Sequence, residues 1–446
     1  MVKYFKNISG LLLLFFMFSS LSAQSDKLNL SLDDALKRAE QNNYDIKIAT
    51  ARVDGMQADF NSTSAIFLPQ ITLSETYVKT NDPLVVFGLK LKQEIVTQAD
   101  FNPALLNDPD NFENFVTKLE INQPLINLDG VWGRSAASDG LSAMKFQKLR
   151  TENYIEFMVK LSYYKVGLMK SSQDVVAQAL EAALANRKLI KDYYEEGLIT
   201  KADYLMAEVF VSNLESQKTD VDNQLLNSSD QLRQLLGIKD DVLVMPSDSL
   251  EYKPALTFSY DRKSILENRS DLRAYSKQIA ATEKMLTMNK MKFLPRLNAF
   301  GSYELNDSEI YGTDAENWMV GVDLRWNLFN GFQNISAVQK SKAEINVAKY
   351  EYGKAKSQAE NEVKAAERDL RSAEKKLELA KNIVEQSKES LRIIKDRYAK
   401  GLEKTTDLLN AETAFSNAEL SYIKTLYFYN VSIFNLELMS EEKIEY

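Results

Sequence analysis

The side chains that could do chemistry in this chain are carboxylates, because the sequence has 63 Asp and Glu residues but no histidine and no cysteine. These absences exclude disulfides, thiol nucleophiles, Cys/His zinc sites and Ser-His-Asp catalysis. A carboxylate-based enzyme such as a glycosidase remains conceivable. Because most Asp and Glu residues fall on charged helix faces, we expect no enzyme, no catalytic residue, no metal site and no cofactor.

Two of these carboxylates occupy the same place in a segment that the chain carries twice. KDYYEEGLITKADYLMAE runs from Lys191 to Glu208, and KDRYAKGLEKTTDLLNAE runs from Lys395 to Glu412. Nine of the 18 positions are identical at a fixed offset of 204 residues, which places Asp203 opposite Asp407. The repeat indicates a duplicated chain.

The repeated segment has the residues of a tight turn between two helices. Gly197 and Gly401 stand where the end of a helix needs a positive φ. Thr200 in the first copy, and Thr405 or Thr406 in the second, are suitable N-caps for a returning helix. The segment therefore predicts one αα-hairpin turn in each half.

Long helices must carry these turns. All eight prolines fall within 69–124 and 246–295, which leaves two long proline-free tracts. In the second tract, apolar and small residues recur at 3-4 spacing from Val363 to Tyr398, which is typical of a coiled-coil seam. The predicted helices cover about 31–66, 133–195, 201–237, 261–292, 332–399 and 402–438.

A linker separates the two halves. Residues 238–260 include Pro246 and Pro254, which predicts an irregular equatorial linker at the waist of a rod. Helices 201–237 and 261–292 together match the length of one long helix, so we expect them to stack end to end. The predicted organisation is a signal peptide at 1–23, a first structural repeat at 24–237, this linker, and a second structural repeat at 261–446.

Strands are predicted between the first and the long helix of each half. Phe67–Tyr77 matches Phe293–Tyr303, and Met319–Leu328 alternates apolar and polar residues over the length of a tilted membrane strand. Strand pairs at about 67–128 and 294–330 give four strands per chain. Bacterial barrels start at eight strands and open edges are unstable in lipid, so membrane insertion requires oligomerisation.

The N-terminus has the pattern of an export signal. Lys3 and Lys6 precede the apolar run Leu11–Phe18, and Ala23 ends a stretch of small residues. This predicts a cleaved signal peptide rather than an anchor, because the run is short for a bilayer. No cysteine follows, so we expect no lipidation. The net charge of −8 without a basic patch argues against a nucleic-acid partner.

The order of these elements resembles the TolC-like outer-membrane efflux protein family over nearly all of the mature chain. The resemblance is carried by SLDDALKRAEQNN (31–43), FLPQI, FLPRL, NRSDLRA (268–274), NLFNG (327–331) and the paired Y-x-x-G-L-x-x-x-x-D-x-L-x-A-E segments. The family often has proline where this chain has Tyr44 and Ser270, and neither difference affects the architecture.

The resemblance implies a mainly α fold with membrane β: duplicated long-helix coiled-coil hairpins plus four transmembrane β-strands per chain. Three chains form a homotrimer with a twelve-stranded β-barrel in the lipid of a Gram-negative outer membrane and a periplasmic α-helical tunnel. Members are passive exit ducts of tripartite efflux pumps, including multidrug efflux, or of type I secretion systems. They dock on a periplasmic adaptor (membrane fusion) protein and an inner-membrane pump of RND, ABC or similar class.

A secreted or surface coiled-coil stalk without a transport role is the alternative. The helical seam alone fits a stalk. The duplicated strand pairs, each preceded by proline at a matched position, do not.

The resemblance also assigns a channel gate by position: Asp203, Tyr398, Asp407 and Asn410. Asp407 matches an acidic ring residue, and Asp203 and Tyr398 match a carboxylate–hydroxyl pair between neighbouring hairpins. Asn410 stands where the family can carry a second Asp, and Glu403 where it can carry an Arg partner for the Asp. We therefore expect a weaker, hydrogen-bonded latch.

Two further features follow from the resemblance. Leu198 and Leu402, directly after Gly197 and Gly401, either pack across their turns or contact the adaptor's helical tips. The loop at about 80–113 is much longer than its counterpart at about 305–316 and is expected outside the cell. The sequence leaves open whether it lines or covers the channel mouth.

Overall fold

The structure is a computed structural model, and it describes residues 27–248, 251 and 262–443. The predicted signal peptide at 1–23 and much of the predicted linker at 238–260 lie outside the described residues. The prediction of a mainly helical chain with four long strands is confirmed. In chain order the elements are β1 (Lys27–Leu30), α1 (Leu32–Asn42), α2 (Tyr44–Ser62), β2 (Gln70–Thr80), α3 (Pro83–Lys92), α4 (Pro103–Asn107), β3 (Phe112–Ile126), α5 (Leu128–Glu195), α6 (Lys201–Leu235), β4 (Leu243–Pro246), α7 (Arg262–Asn268), α8 (Ser270–Met291), β5 (Arg296–Asp307), β6 (Ala315–Arg325), α9 (Gln333–Tyr398) and α10 (Thr405–Ser440).

Two long helices set the length of the molecule. α5 has 68 residues and α9 has 66, so each is roughly 100 Å long at ~1.5 Å per residue. α5 begins earlier than the predicted residue 133, because the side chain of Asn127 caps it by accepting from the amide of Gly130. Along α9 the predicted seam is buried through small residues such as Ala366, Ala373 and Ala380. None of the described helices combines the length and apolarity needed to cross a membrane.

The shorter helices stack differently from the prediction. α6 ends against the start of α2, where Asn43 Nδ2 donates to the carbonyl of Leu235 at 2.9 Å. α10 ends against the start of α8, where the amide of Ser270 donates to Glu441 Oε2 at 2.9 Å. The predicted stacking of α6 on α8 is therefore wrong. Combined length cannot show which helix ends meet, whereas capping contacts at the junctions select them.

A small parallel sheet closes the waist. β1 pairs with β4 from Lys27↔Leu243 to Leu30↔Pro246. Tyr163, near the midpoint of α5, lies below it with its hydroxyl 2.8 Å from the carbonyl of Leu30. The linker predicted to be irregular at 238–260 thus contains a strand, Leu243–Pro246. Sequence reasoning missed it because four residues are too few to show a strand period.

The four long strands form one antiparallel sheet in the order β2-β3-β5-β6. The register sorts their side chains onto two faces, because opposite residues share a face and successive residues alternate. The apolar face includes Ile71, Leu73, Tyr77, Leu119, Ile121, Leu297, Ala299, Tyr303, Trp318, Val320, Val322 and Leu324. The polar face includes Thr72, Ser74, Lys118, Glu120, Asn122, Asn298, Ser302, Glu304, Asn306, Asn317 and Asp323. Within the described residues, the outer edges of β2 and β6 have no partner strand.

Candidate gate at the helical tips

The turn between α5 and α6 is set by one glycine. Gly197 has φ +74°, and the amides of Gly197 and Leu198 donate to the carbonyls of Tyr194 and Tyr193 at 3.0 and 2.9 Å. This pair of bonds satisfies carbonyls that the end of α5 would leave free. Leu198 is then directed outward and is 67% exposed.

The turn between α9 and α10 repeats this geometry. Gly401 has φ +72°, and the amides of Gly401 and Leu402 donate to the carbonyls of Tyr398 and Arg397 at 2.9 and 3.0 Å. Leu402 is 61% exposed. Packing across the turns therefore covers only a minor part of Leu198 and Leu402, and both tips present an apolar side chain to solvent.

Asp203 closes the start of α6. Thr200 is the N-cap, as the sequence predicts, with its hydroxyl accepting from the amide of Asp203. In return, the Asp203 carboxylate accepts from the amide and the hydroxyl of Thr200, at 3.1 and 2.6 Å. This reciprocal capping box fixes the carboxylate at the tip.

Asp407 occupies the equivalent position in α10, but the cap differs. The N-cap is Lys404, whose amide donates to Asp407 Oδ2 at 3.4 Å. The predicted N-cap at Thr405 or Thr406 is wrong, because the extended backbone that precedes the helix ends at Lys404. Thr405 is instead buried at the start of α10.

Glu403 pairs within its own turn. Arg397 Nε donates to Glu403 Oε1 at 2.6 Å. Both side chains keep solvent contact, so the pair contributes little stability. It does offset the charge that Glu403 brings to the position where the family can carry an arginine.

The two hairpins pack together at their tips, where each of the four helices α5, α6, α9 and α10 contributes one buried side chain. This tip cluster consists of the buried residues Ile190, Ala207, Tyr398 and Leu408. The Tyr398 ring lies 6.4 Å from that of Tyr193, and its hydroxyl lies 3.3 Å from the hydroxyl of Thr405. Burial raises the pKa of Tyr398, so its hydroxyl stays neutral and available for hydrogen bonding.

The structure brings Asp203 and Tyr398 to the same tip without joining them. Within the described chain each has another partner: Thr200 for the Asp203 carboxylate and Thr405 for the Tyr398 hydroxyl. Asp203 is near enough for its charge to add to the rise in the Tyr398 pKa.

Asp407 and Asn410 lie three residues apart on α10, so they share one helix face. Asn410 is exposed and Asp407 is half-buried. The face presents one carboxylate and one neutral amide, whereas its neighbour Leu408 points into the tip cluster.

Sequence reasoning missed a buried carboxyl just above the tip cluster. Glu412 Oε1 accepts from Asn186 Nδ2 of α5, and both side chains are buried. Glu412 Oε2 is buried without a hydrogen-bond partner among the described residues. Burial raises the Glu412 pKa to about 7, against the opposing charge of Lys395. Glu412 is thus an exception to the expectation that most carboxylates lie on charged helix faces. The matching residue of the first repeat, Glu208, has a different environment: its side chain is part-exposed and accepts from the hydroxyl of Tyr204. The repeat in the sequence therefore does not indicate that Glu412 is buried.

No group of acidic side chains in the described ranges is arranged to hold a metal ion. The tips combine outward leucines, fixed carboxylates and a buried tyrosine. Such a surface can make protein contacts and can set the charge of a narrow passage.

The described fold and its sequence match known proteins. A family profile described as outer membrane efflux protein matches residues 35–238 and 262–439. A search of curated proteins finds no match. The solved structures that share the fold include the following three. A membrane protein from Pseudomonas aeruginosa is 17% identical, with a TM-score of 0.78 over 92% of this chain and 93% of that chain. The CmeC outer membrane channel of Campylobacter jejuni is 16% identical, with a TM-score of 0.76 over 92% and 85%. The outer membrane protein VceC of Vibrio cholerae is 17% identical, with a TM-score of 0.74 over 93% and 97%.

Proposed function

Since the chain belongs to the outer membrane efflux protein family and is an efflux exit duct of the outer membrane, we propose that it works as a homotrimer gated at its helical tips. The observation that carries this proposal is the family match, which covers both repeats. The family is one of channels rather than of enzymes. A secreted stalk would explain the long helices but neither this match nor the four-stranded sheet.

The sheet supports the trimer. One chain contributes four strands, and its free edges are β2 and β6. Because each neighbouring pair is antiparallel, β2 and β6 run in opposite directions and can pair between copies. Three copies close a twelve-stranded barrel without an exposed edge. The apolar face then meets lipid, and the polar face lines the passage.

The helices continue this passage into the periplasm, and the tips form its inner end. Three copies of Asp407 around the axis favour cations and repel one another. Contacts must therefore hold the tips together. In each copy the tip cluster joins both hairpins, and the exchange of the Thr200 and Thr405 bonds for an Asp203–Tyr398 bond supplies a hydrogen-bonded latch.

Leu198 and Leu402 supply the contact surface for a periplasmic adaptor. They are exposed and apolar, and the backbone amide of each is hydrogen-bonded in its turn. The adaptor in turn connects the duct to an energised inner-membrane pump.

The channel is tested by single-channel conductance in a planar bilayer. The wild type, Asp407→Ala and Asp220→Ala are compared, the last being an exposed carboxylate on α6 far from the tips. We expect cation-selective steps whose selectivity falls only in Asp407→Ala. Identical conductance in all three would keep the duct but place its charge filter elsewhere. Folded protein without any conductance would remove the duct.

The latch is tested by Asp203→Ala against Thr200→Ala. Both changes remove the capping box, but only the first removes the carboxylate. We expect Asp203→Ala to increase the open fraction of the channel more than Thr200→Ala does. Equal open fractions would reject a role for Asp203 beyond helix capping.

A further inference from the structure

The segment that joins β2 to β3 folds back onto the sheet. We call residues 81–111 the mouth segment. Lys92, at the end of α3, forms an ion pair with Glu304 of β5 at 2.8 Å. The carbonyl of Lys92 accepts from Asn317 Nδ2 of β6 at 3.2 Å. Both Glu304 and Asn317 belong to the polar face, so the end of α3 lies over that face at β5 and β6.

A second anchor is a row of buried amides. Gln93 Nε2 donates to Asn114 Oδ1 at 2.7 Å, and Asn114 Nδ2 donates to Asn306 Oδ1 at 3.0 Å. The three side chains are 6%, 0% and 0% exposed. Asn114 and Asn306 also lie on the polar face, by register. Breaking this row would leave buried amide groups without hydrogen bonds. The desolvation penalty of such a group exceeds the net contribution of one hydrogen bond to stability.

The mouth segment is itself a folded unit. Asp82 caps α3, which begins at Pro83, by accepting from the amide of Val85 at 3.0 Å. Lys90 Nζ pairs with Asp100 Oδ1 at 2.7 Å. The ring of Phe87 contacts that of Phe101 at 5.6 Å. These contacts join α3 to the following turn. The segment therefore fills its volume as a folded unit and not as an extended loop.

The β5–β6 turn, which is the other connection at this end of the sheet, does not extend over the polar face. The β5–β6 turn folds around Asp307, whose carboxylate accepts from the amides of Glu309 and Asp314 at 3.0 and 3.2 Å. It is a short turn closed on itself, and most of its residues are exposed. Coverage of the polar face therefore comes from the mouth segment.

From these contacts we propose that the mouth segment is an outer constriction of the duct, held on the bore wall at the level of Glu304. The inference rests on the proposed function, since the polar face becomes a bore only in the closed trimer. Eight strands give a bore that side chains fill, and sixteen or more leave an aqueous channel. A twelve-stranded bore lies between these, so three folded segments occupy much of it. Cargo must displace them to leave.

The experiment uses the absence of cysteine in this chain, which makes any introduced thiol unique. Asn298→Cys places a thiol on the bore side of β5, six residues deeper than Glu304 and roughly 20 Å away at ~3.4 Å per residue. Ser308→Cys places a control thiol on the exposed β5–β6 turn. Whole cells are treated with a bulky, membrane-impermeant maleimide, and the labelling rates are compared.

Each thiol is measured in three backgrounds: the full chain, Glu304→Gln, and a chain whose mouth segment is replaced by a linker of about four residues. Glu304→Gln removes the partner of Lys92 without shortening the chain. We expect Asn298→Cys to label at least about tenfold more slowly in the full chain than in the shortened one, because the segment must open first. Glu304→Gln gives an intermediate rate. Ser308→Cys labels equally in all three.

Rapid labelling of Asn298→Cys in the full chain would overturn the proposal, since the bore is then open past the segment. Slow labelling in both full and shortened chains, with Ser308→Cys reacting rapidly, would also overturn it, because something else closes the bore. If Ser308→Cys fails to react in any background, the outer-membrane orientation is wrong. In that case the proposed function fails, and this inference fails with it.

Discussion

Glu412 of α10 and Asn186 of α5 share a buried hydrogen bond that joins the two hairpins just above their tips. The bond uses one carboxyl oxygen and leaves the other unpartnered among the described residues. A buried carboxyl in this state is more stable neutral than charged, and this balance makes the hairpin contact sensitive to pH.

The first prediction concerns this pH dependence. The Glu412 pKa rises from 4.5 in the unfolded chain to about 7 in the folded one. Below pH 4.5 the carboxyl is neutral in both states. Between pH 4.5 and about 7 only the unfolded chain ionises, so the folded state loses stability as the pH rises. Glu412→Gln removes this loss, which amounts to at most about 3 kcal/mol.

The loss of stability that Glu412 causes is measured by thermal unfolding, followed by circular dichroism at pH 5 and pH 8. We expect Glu412→Gln to raise the unfolding midpoint more at pH 8 than at pH 5. The control is Glu208→Gln at the equivalent, part-exposed position, which should show no such difference. An equal shift of Glu412→Gln at both pH values would contradict the pKa rise.

The second prediction concerns the turn glycines. Gly401 has φ +72° with open space around the Cβ position, so alanine meets backbone strain rather than a clash. Gly401→Ala should lower the free energy of unfolding by about 1–2 kcal/mol. Gly353 lies inside α9, also in open space, and Gly353→Ala should raise it by about 0.5–1 kcal/mol. Denaturant unfolding distinguishes the two, and a loss in both variants would refute the strain argument.

The third prediction concerns the junction of α10 and α8. Arg269 is 2% exposed, and its guanidinium contacts both carboxylate oxygens of Asp271 at 3.1 and 2.6 Å and Glu362 at 3.1 Å. Arg269→Ala removes the guanidinium from both carboxylates and leaves Asp271 only the longer ion pair with Arg150 Nε at 4.0 Å, so it should cost about 3–5 kcal/mol.

Arg392 supplies the matched control, because it also contacts two carboxylates but is exposed. Arg392→Ala should cost at most about 1 kcal/mol. Thermal midpoints of the two variants in the same detergent give the comparison. Similar losses would mean that burial at the junction adds nothing to the ion pairs.

The fourth prediction separates docking from conduction. Leu402→Asp changes an exposed side chain at the tip, so it should leave single-channel conductance intact while weakening an apolar contact with the adaptor. Efflux is followed with a fluorescent dye that cells lacking this chain accumulate. We expect Leu402→Asp to accumulate dye like the deletion strain and Leu402→Met to export it. Normal export by Leu402→Asp would place the adaptor contact elsewhere.

The features that could be predicted from the sequence are those with a local cause. Proline-free tracts and a 3-4 seam predicted the long helices, glycine predicted the two turns, and alternation predicted the strand of which Val320 and Val322 are part. The gate residues stay a prediction, since only the positions of Asp203, Tyr398, Asp407 and Asn410 are described.

The rest depends on contacts between distant residues. The meeting of Asn43 with Leu235, the ion pair of Lys92 with Glu304 and the burial of Glu412 involve partners 192, 212 and 226 residues apart. No local sequence pattern indicates such contacts, because the residues next to each partner in the sequence do not specify which distant residue it meets. The length of the mouth segment was visible in the sequence, but its direction was not.

The small sheet at the waist has a consequence for biosynthesis. Around it, the amide of Leu32 donates to Asp248 Oδ2 across 216 residues of chain. An exported polypeptide emerges with its N-terminus first, so β1 reaches the periplasm long before β4 does. Local helices and hairpins can form during that delay, but the waist cannot close, since long-range pairing pays its loop-closure entropy late. During export β1 therefore stays without its partner strand until the linker that follows the first repeat arrives, and it needs protection from wrong partners until then.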